Sequence, residues 1–144
     1  MELISPLGGV YQAGTLSGNP VAMAAGLAAL NKIYNMPNLY DELEQKSKFI
    51  TDSMLEAANE SGIGLQVEVR GSMWGFFFNE NPVTNYTQAL QSDTNLFAKF
   101  HAQMLKRGIY LAPSQFETCF VCKPLSQTSL DKTAQAIKES FKSL

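Results

Sequence analysis

The chain is 144 residues long, with 45% hydrophobic and 17% charged residues and a formal net charge of -2. That is one domain's length with enough apolar side chains for a core. With 11 basic residues against 13 acidic and no block of like charge, neither nucleic acid nor an anionic membrane is the expected partner, and no apolar run approaches the roughly 18 residues of a membrane span. The charged fraction falls below the usual ~25%, which points to surface covered by a partner or by further chain. The start, Met1-Glu2-Leu3-Ile4-Ser5-Pro6, lacks the basic region of a signal peptide, so the expected location is the cytoplasm, with Cys119 and Cys122 as reduced thiols.

Residues 1–19 read as an irregular entry loop. Asn19 is a good N-cap and Pro20 suits the first helical position, so a helix is predicted over 20–34, with Met23, Leu27, Leu30 and Ile33 making its apolar contacts. Met36-Pro37-Asn38 breaks the chain. Asn38 is expected to cap a second helix, with Leu39, Leu43, Ile50, Met54 and Ala57 at helical spacing and Gly62 as its stop. Glu42, Glu44, Lys46 and Lys48 read as that helix's solvated face.

The period then changes. Leu65, Val67 and Val69 alternate with Gln66, Glu68 and Arg70, the pattern of a half-buried strand. Arg70-Gly71-Ser72 turns the chain into the apolar run 73–78, which reads as a buried strand and completes a hairpin. A loop with a helical turn near Gln88 leads to a third long helix, started by Ser92 or Asp93 and ended by Gly108, with Leu96, Phe97, Phe100, Met104 and Leu105 as its apolar face. Short strands are predicted over 109–112 and 119–122. Thr128 is expected to cap the last helix, with Asp131 completing a capping box and Leu130, Ala134, Ile137 and Phe141 as its stripe. Helices on one face of a small, largely antiparallel sheet make this an α+β chain.

Few residues carry chemistry. Tyr11-Gln12-Ala13-Gly14-Thr15-Leu16-Ser17-Gly18-Asn19-Pro20 reads either as a glycine-rich connection with an ordinary N-cap or as an anion loop ending on a helix N-terminus. It is neither a Walker loop nor a dinucleotide fingerprint. Glu117, beside Phe116, reads as a surface glutamate or, if buried, as a carboxylate with a cationic partner or a raised pKa. Cys119 and Cys122 have redox-motif spacing but sit on a strand, where residues three apart face opposite ways. There is no second cysteine pair for zinc, and no metal site is expected. His101 reads as a packing residue among Phe97, Phe100 and Met104, and Trp74 with Phe76, Phe77 and Phe78 as core.

The segments 11–20 and 22–26 (Ala-Met-Ala-Ala-Gly), with Gly71-Ser72-Met73-Trp74-Gly75-Phe76-Phe77-Phe78 and Gly108-Ile109-Tyr110-Leu111-Ala112-Pro113-Ser114-Gln115-Phe116-Glu117, closely resemble the glutamate-1-semialdehyde aminomutases of the class-III aminotransferases. The likeness runs through nearly the whole chain. It implies a homodimeric fold-type I enzyme that uses pyridoxal or pyridoxamine phosphate to isomerise glutamate-1-semialdehyde to 5-aminolevulinate, the tetrapyrrole precursor. It further implies that 1–19 is a phosphate-loop segment from the edge of the large domain and 20–144 the carboxy-terminal small domain. By the same resemblance Thr15 binds the cofactor phosphate of the neighbouring subunit, Gly14 allows the close approach, and Glu117 lines the cleft that holds the small-molecule substrate.

Three departures accompany the likeness. None of Lys32, Lys46, Lys48, Lys99, Lys106, Lys123, Lys132, Lys138 or Lys142 lies in the family's Schiff-base motif, so this chain by itself is expected to be inactive. Leu125 stands where the family often has histidine, and Cys119 and Cys122 replace what are usually glycine and a hydroxyl residue. Two rival readings are another class-III aminotransferase, which exchanges amino groups between two molecules, and a non-catalytic interaction module.

Overall fold

A computed structural model describes all residues, 1–144. The chain divides into two compact units, Met1–Pro37 and Asn38–Leu144. The helix predicted from the Asn-Pro signal is present as α1, Pro20–Tyr34, and belongs to the first unit. This division therefore falls one helix later than the expected one between Asn19 and Pro20. No residue of α1 is buried. Met23, Leu27 and Leu30, expected as contact residues, are each more than 60% exposed. Helical period alone identifies an apolar stripe; it does not supply the surface that covers it.

In the second unit α2 spans Leu39–Glu60, β1 Gln66–Arg70, β2 Met73–Phe77, α3 Tyr86–Ala89, α4 Thr94–Lys106, β3 Cys119–Phe120 and α5 Gln127–Phe141. The three strands form an antiparallel sheet in the order β1-β2-β3. The hairpin is as expected: Arg70 pairs with Met73 across Gly71-Ser72, and Gly71 takes φ +59, a conformation that favours glycine. Opposed residues share a face, so Val67 with Phe76 and Val69 with Trp74 point one way.

That face meets the helices. α2 packs on α5 and on both hairpin strands, and α4 packs on α5. Phe100, which is fully buried, stands edge-on to Phe76 and Phe78 at 5.7 and 5.6 Å and lies 5.1 Å from Phe141. Ile50, Met54, Leu130 and Ile137 complete the core. The α+β class thus holds. Phe77, read as core with its neighbours, instead lies on the opposite face near the ring of Phe116. The strand period forces this, since Phe76 and Phe78 already point inward. Leu105 is likewise half-exposed, on the outer side of α4.

Six local expectations change. Residues 109–112 do not form a strand, and the predicted strand at 119–122 is reduced to Cys119–Phe120. Asn38 makes no side-chain cap bond; its ψ of 7° is not the extended conformation a capping side chain needs. Ser126, not Thr128, caps α5: its ψ is 161° and its Oγ accepts from the Ser129 N–H at 3.2 Å. Asp131 forms no capping box and instead accepts from Gln127 Nε2 at 2.8 Å. Finally, Lys46 is not on a solvated face. Its ammonium donates to the carbonyls of Lys123 and Leu125, both at 2.7 Å, and so fixes the chain immediately before Ser126.

Candidate functional site

The loop before α1 is built from two turns. Ser17 N–H donates to Gly14 O and Asn19 N–H to Leu16 O, each at 3.0 Å, with Gly18 at φ +72 between them. Asn19 then closes the helix start. Its Oδ1 accepts from the N–H groups of Val21 and Ala22 at 3.1 Å, and its carbonyl accepts from Met23 N–H at 2.9 Å. Pro20 has no N–H to offer. The first-turn donors of α1 are therefore all spent within the chain, so the helix end itself is not the anion site that the loop's position suggested.

The free donors lie earlier. Thr15 is exposed, and neither its N–H nor its hydroxyl has a partner in the chain. A side chain added at Gly14 would meet only the Ser17 side chain, with Oγ 2.7 Å from the added carbon. Ser17 can rotate, so nothing within this chain requires glycine at position 14. The pair offers an open backbone edge with one adjacent hydroxyl, the donor set that a phosphate oxygen accepts from.

The second segment, residues 113–118, lies in the other unit. Ser114 organises it: its Oγ accepts from Phe116 N–H and its carbonyl from Glu117 N–H, both at 3.2 Å. Glu117 is exposed and has no ion pair, as its surface-glutamate reading expects. The pKa of the nearby Cys119 thiol is pushed up chiefly by burial and further by the Glu117 charge, against a backbone hydrogen bond at Ala112. Cys119 points toward the core and Cys122 is exposed, so the two thiols do not form a redox pair. Sequence reasoning passed over Gln115. It is 5% exposed, and both atoms of its amide are buried without a hydrogen-bond partner. A polar residue in a polar loop carries no signal of that burial.

Residues 1–143 match the class-III aminotransferase family. The chain belongs to that family. Among curated class-III relatives it is 74% identical over 144 residues to the glutamate-1-semialdehyde 2,1-aminomutase of Campylobacter fetus subsp. fetus, covering all of this chain and 34% of the relative. It is 51% identical over 141 residues to the protein of the same name from Campylobacter hominis, covering 98% of this chain and 31% of that protein. The chain thus spans about a third of the length of the relatives it matches. Among solved structures, a β-phenylalanine aminotransferase from Variovorax paradoxus superposes with a TM-score of 0.78 at 22% identity, over 99% of this chain and 33% of the other. An omega-transaminase from Sphaerobacter thermophilus does so with a TM-score of 0.74 at 21% identity, over 92% and 30%. At such identities the likeness is one of fold. No helix of the chain is long and apolar enough to cross a membrane.

Proposed function

We propose that this chain is the carboxy-terminal part of a glutamate-1-semialdehyde 2,1-aminomutase, a cytoplasmic homodimer that makes 5-aminolevulinate for tetrapyrrole synthesis. The observation that carries this reading is the 74% identity to a protein of that name along all 144 residues.

In this reading the cofactor is pyridoxal or pyridoxamine phosphate, and the free donors of Thr15 fit its phosphate. When bound, it supplies the electron sink for amino-group chemistry. Thr15 would hold the cofactor phosphate of the neighbouring subunit through its backbone N–H and hydroxyl. Gly14 keeps the loop edge bare, so that the phosphate can reach the Thr15 N–H. Glu117 lines the cleft and accepts hydrogen bonds from the substrate's ammonium group, which holds that proton on nitrogen rather than removing it. The chain by itself performs no turnover, because no lysine stands in the Schiff-base motif.

The test uses the full-length enzyme. Product must form from glutamate-1-semialdehyde alone, with no amino donor or acceptor added. A requirement for a second amino acid or oxo acid would identify an ordinary aminotransferase instead. Turnover by the 144-residue chain alone would overturn the assignment of its inactivity.

A further inference from the structure

β1 is an edge of the sheet: in the order β1-β2-β3 no strand pairs with its outer side. The register decides which groups it presents there. Arg70 and Met73 close the turn at Gly71-Ser72, so they exchange hydrogen bonds with each other. The alternation of an antiparallel ladder then turns the N–H and C=O of Val67 and Val69 away from β2. The Val69 carbonyl agrees with this direction, since it accepts from Arg70 Nη1 at 3.0 Å and not from a strand. No loop or side chain of the chain bonds to the Val69 N–H.

Natural edges are commonly guarded by charge. The guards here are Glu68 and Arg70, whose side chains are 67% and 76% exposed on the helix-free face and pair with each other. Their effect on a second copy of β1 depends on register. Two identical antiparallel strands are symmetric about one residue. Centred on Glu68, the pair sets Glu68 against Glu68. Centred on Val67, it sets Glu68 against the neutral Gln66. Centred on Val69, it sets Glu68 of each copy opposite Arg70 of the other, with Cα atoms about 4.5 Å apart. The same register brings the two Val69 residues together, the N–H of each facing the carbonyl of the other. The guards thus oppose one register and favour another.

We propose that β1 is a self-recognition edge, on which two copies of this chain pair antiparallel about Val69 and join their sheets into one. Arg70 gives up its own Glu68 and Val69 carbonyl for Glu68 of the other copy. The freed carbonyl accepts from the other copy's Val69 N–H. The contact is short, well below the ~1,200 Å² of a stable interface. The dimer is accordingly weak, with a Kd on the order of 0.1–1 mM. It uses none of Gly14, Thr15 and Glu117, and it stands or falls independently of the aminomutase reading.

Sedimentation velocity of the 144-residue chain at about 0.01 to 1 mM is expected to show a reversible monomer–dimer equilibrium. Added salt should weaken it. Glu68→Arg sets Arg opposite Arg, and Arg70→Glu sets Glu opposite Glu. Each variant alone is expected to lose association by about tenfold or more, because both cross-strand pairs become repulsive. An equimolar mixture of the two variants is expected to recover it, since every pair in the mixed dimer is again of opposite charge. Both positions are exposed, so the variants keep the fold, and recovery on mixing demonstrates it. A chain that stays monomeric at the highest concentration would overturn the proposal. So would undiminished association of either variant, which would assign the contact to another surface such as the exposed stripe of α1. A mixture no more associated than its components would overturn it equally.

Discussion

His101 Nε2 lies 3.1 Å from the carbonyl oxygen of Leu111. With Nε2 as the donor, this bond ties residues 109–112, which have no strand partner, to α4. The ring also sits 6.2 Å from Phe97 and 6.3 Å from Tyr110. His101→Ala is expected to destabilise the chain by about 1–2 kcal/mol, one hydrogen bond plus some packing. Urea unfolding measures it. His101→Gln, which can still donate, is expected to recover part of the loss.

Lys46 and Lys48 lie on the same helix and differ in what they hold. Lys46 donates to the carbonyls of Lys123 and Leu125, whereas Lys48 makes an exposed pair with Glu44. Lys46→Met is expected to cost about 1.5–3 kcal/mol, because it removes charge-assisted bonds to a loop. Lys48→Met is expected to change stability by less than about 0.5 kcal/mol. Equal midpoints for both variants in chemical denaturation would argue against the Lys46 clamp.

The caps provide paired comparisons. Asn19→Ala and Ser126→Ala are each expected to cost about 1 kcal/mol of helix stability, because each removes a side-chain acceptor for first-turn N–H groups. Asn38→Ala and Thr128→Ala are expected to cost only a few tenths, since neither residue caps its helix. Circular dichroism reports α1, where no burial masks the cap, and urea midpoints report α5.

The thiols should separate chemically. Cys122 is exposed, whereas burial and the Glu117 charge raise the Cys119 pKa above its ordinary 9.0. Alkylation near neutral pH is expected at Cys122 first, with peptide mapping as the readout. A thiol whose pKa is raised by folding holds its proton more tightly in the folded state. Its contribution is complete below the unfolded value and is lost as pH rises through the folded one. Stability should therefore fall on the alkaline side of pH 9.0, and Cys119→Ala should flatten that fall. Glu117→Gln removes the neighbouring negative charge and should bring the Cys119 pKa down.

In the full-length enzyme, Thr15→Ala is expected to weaken cofactor retention by about 1.5–3 kcal/mol, the worth of one hydrogen bond to a charged group. Cofactor absorbance remaining after dialysis reads this directly. Thr15→Ser keeps the hydroxyl and should retain most of the cofactor. Unchanged retention in Thr15→Ala would remove the phosphate role.

What the sequence determined by itself was local. Asn19-Pro20 and Asp93 start helices, Gly62 and Gly108 follow their ends, and the alternation at 65–70 belongs to a strand, because each signal acts within about one turn or one strand period. The loop around Thr15 was legible for the same reason. Tertiary structure decided the rest. Lys46 became a clamp only because residues 123–125 came to its side, just ahead of Ser126, which rather than Thr128 starts α5. Residues 109–112 stayed out of the sheet, although their composition suits a strand, because a ladder needs a partner from elsewhere in the chain. The buried, unpartnered N–H of Trp74 and amide of Gln115 follow the same rule. Whether a polar atom finds a partner depends on what packs over it, and no residue's neighbours in sequence encode that.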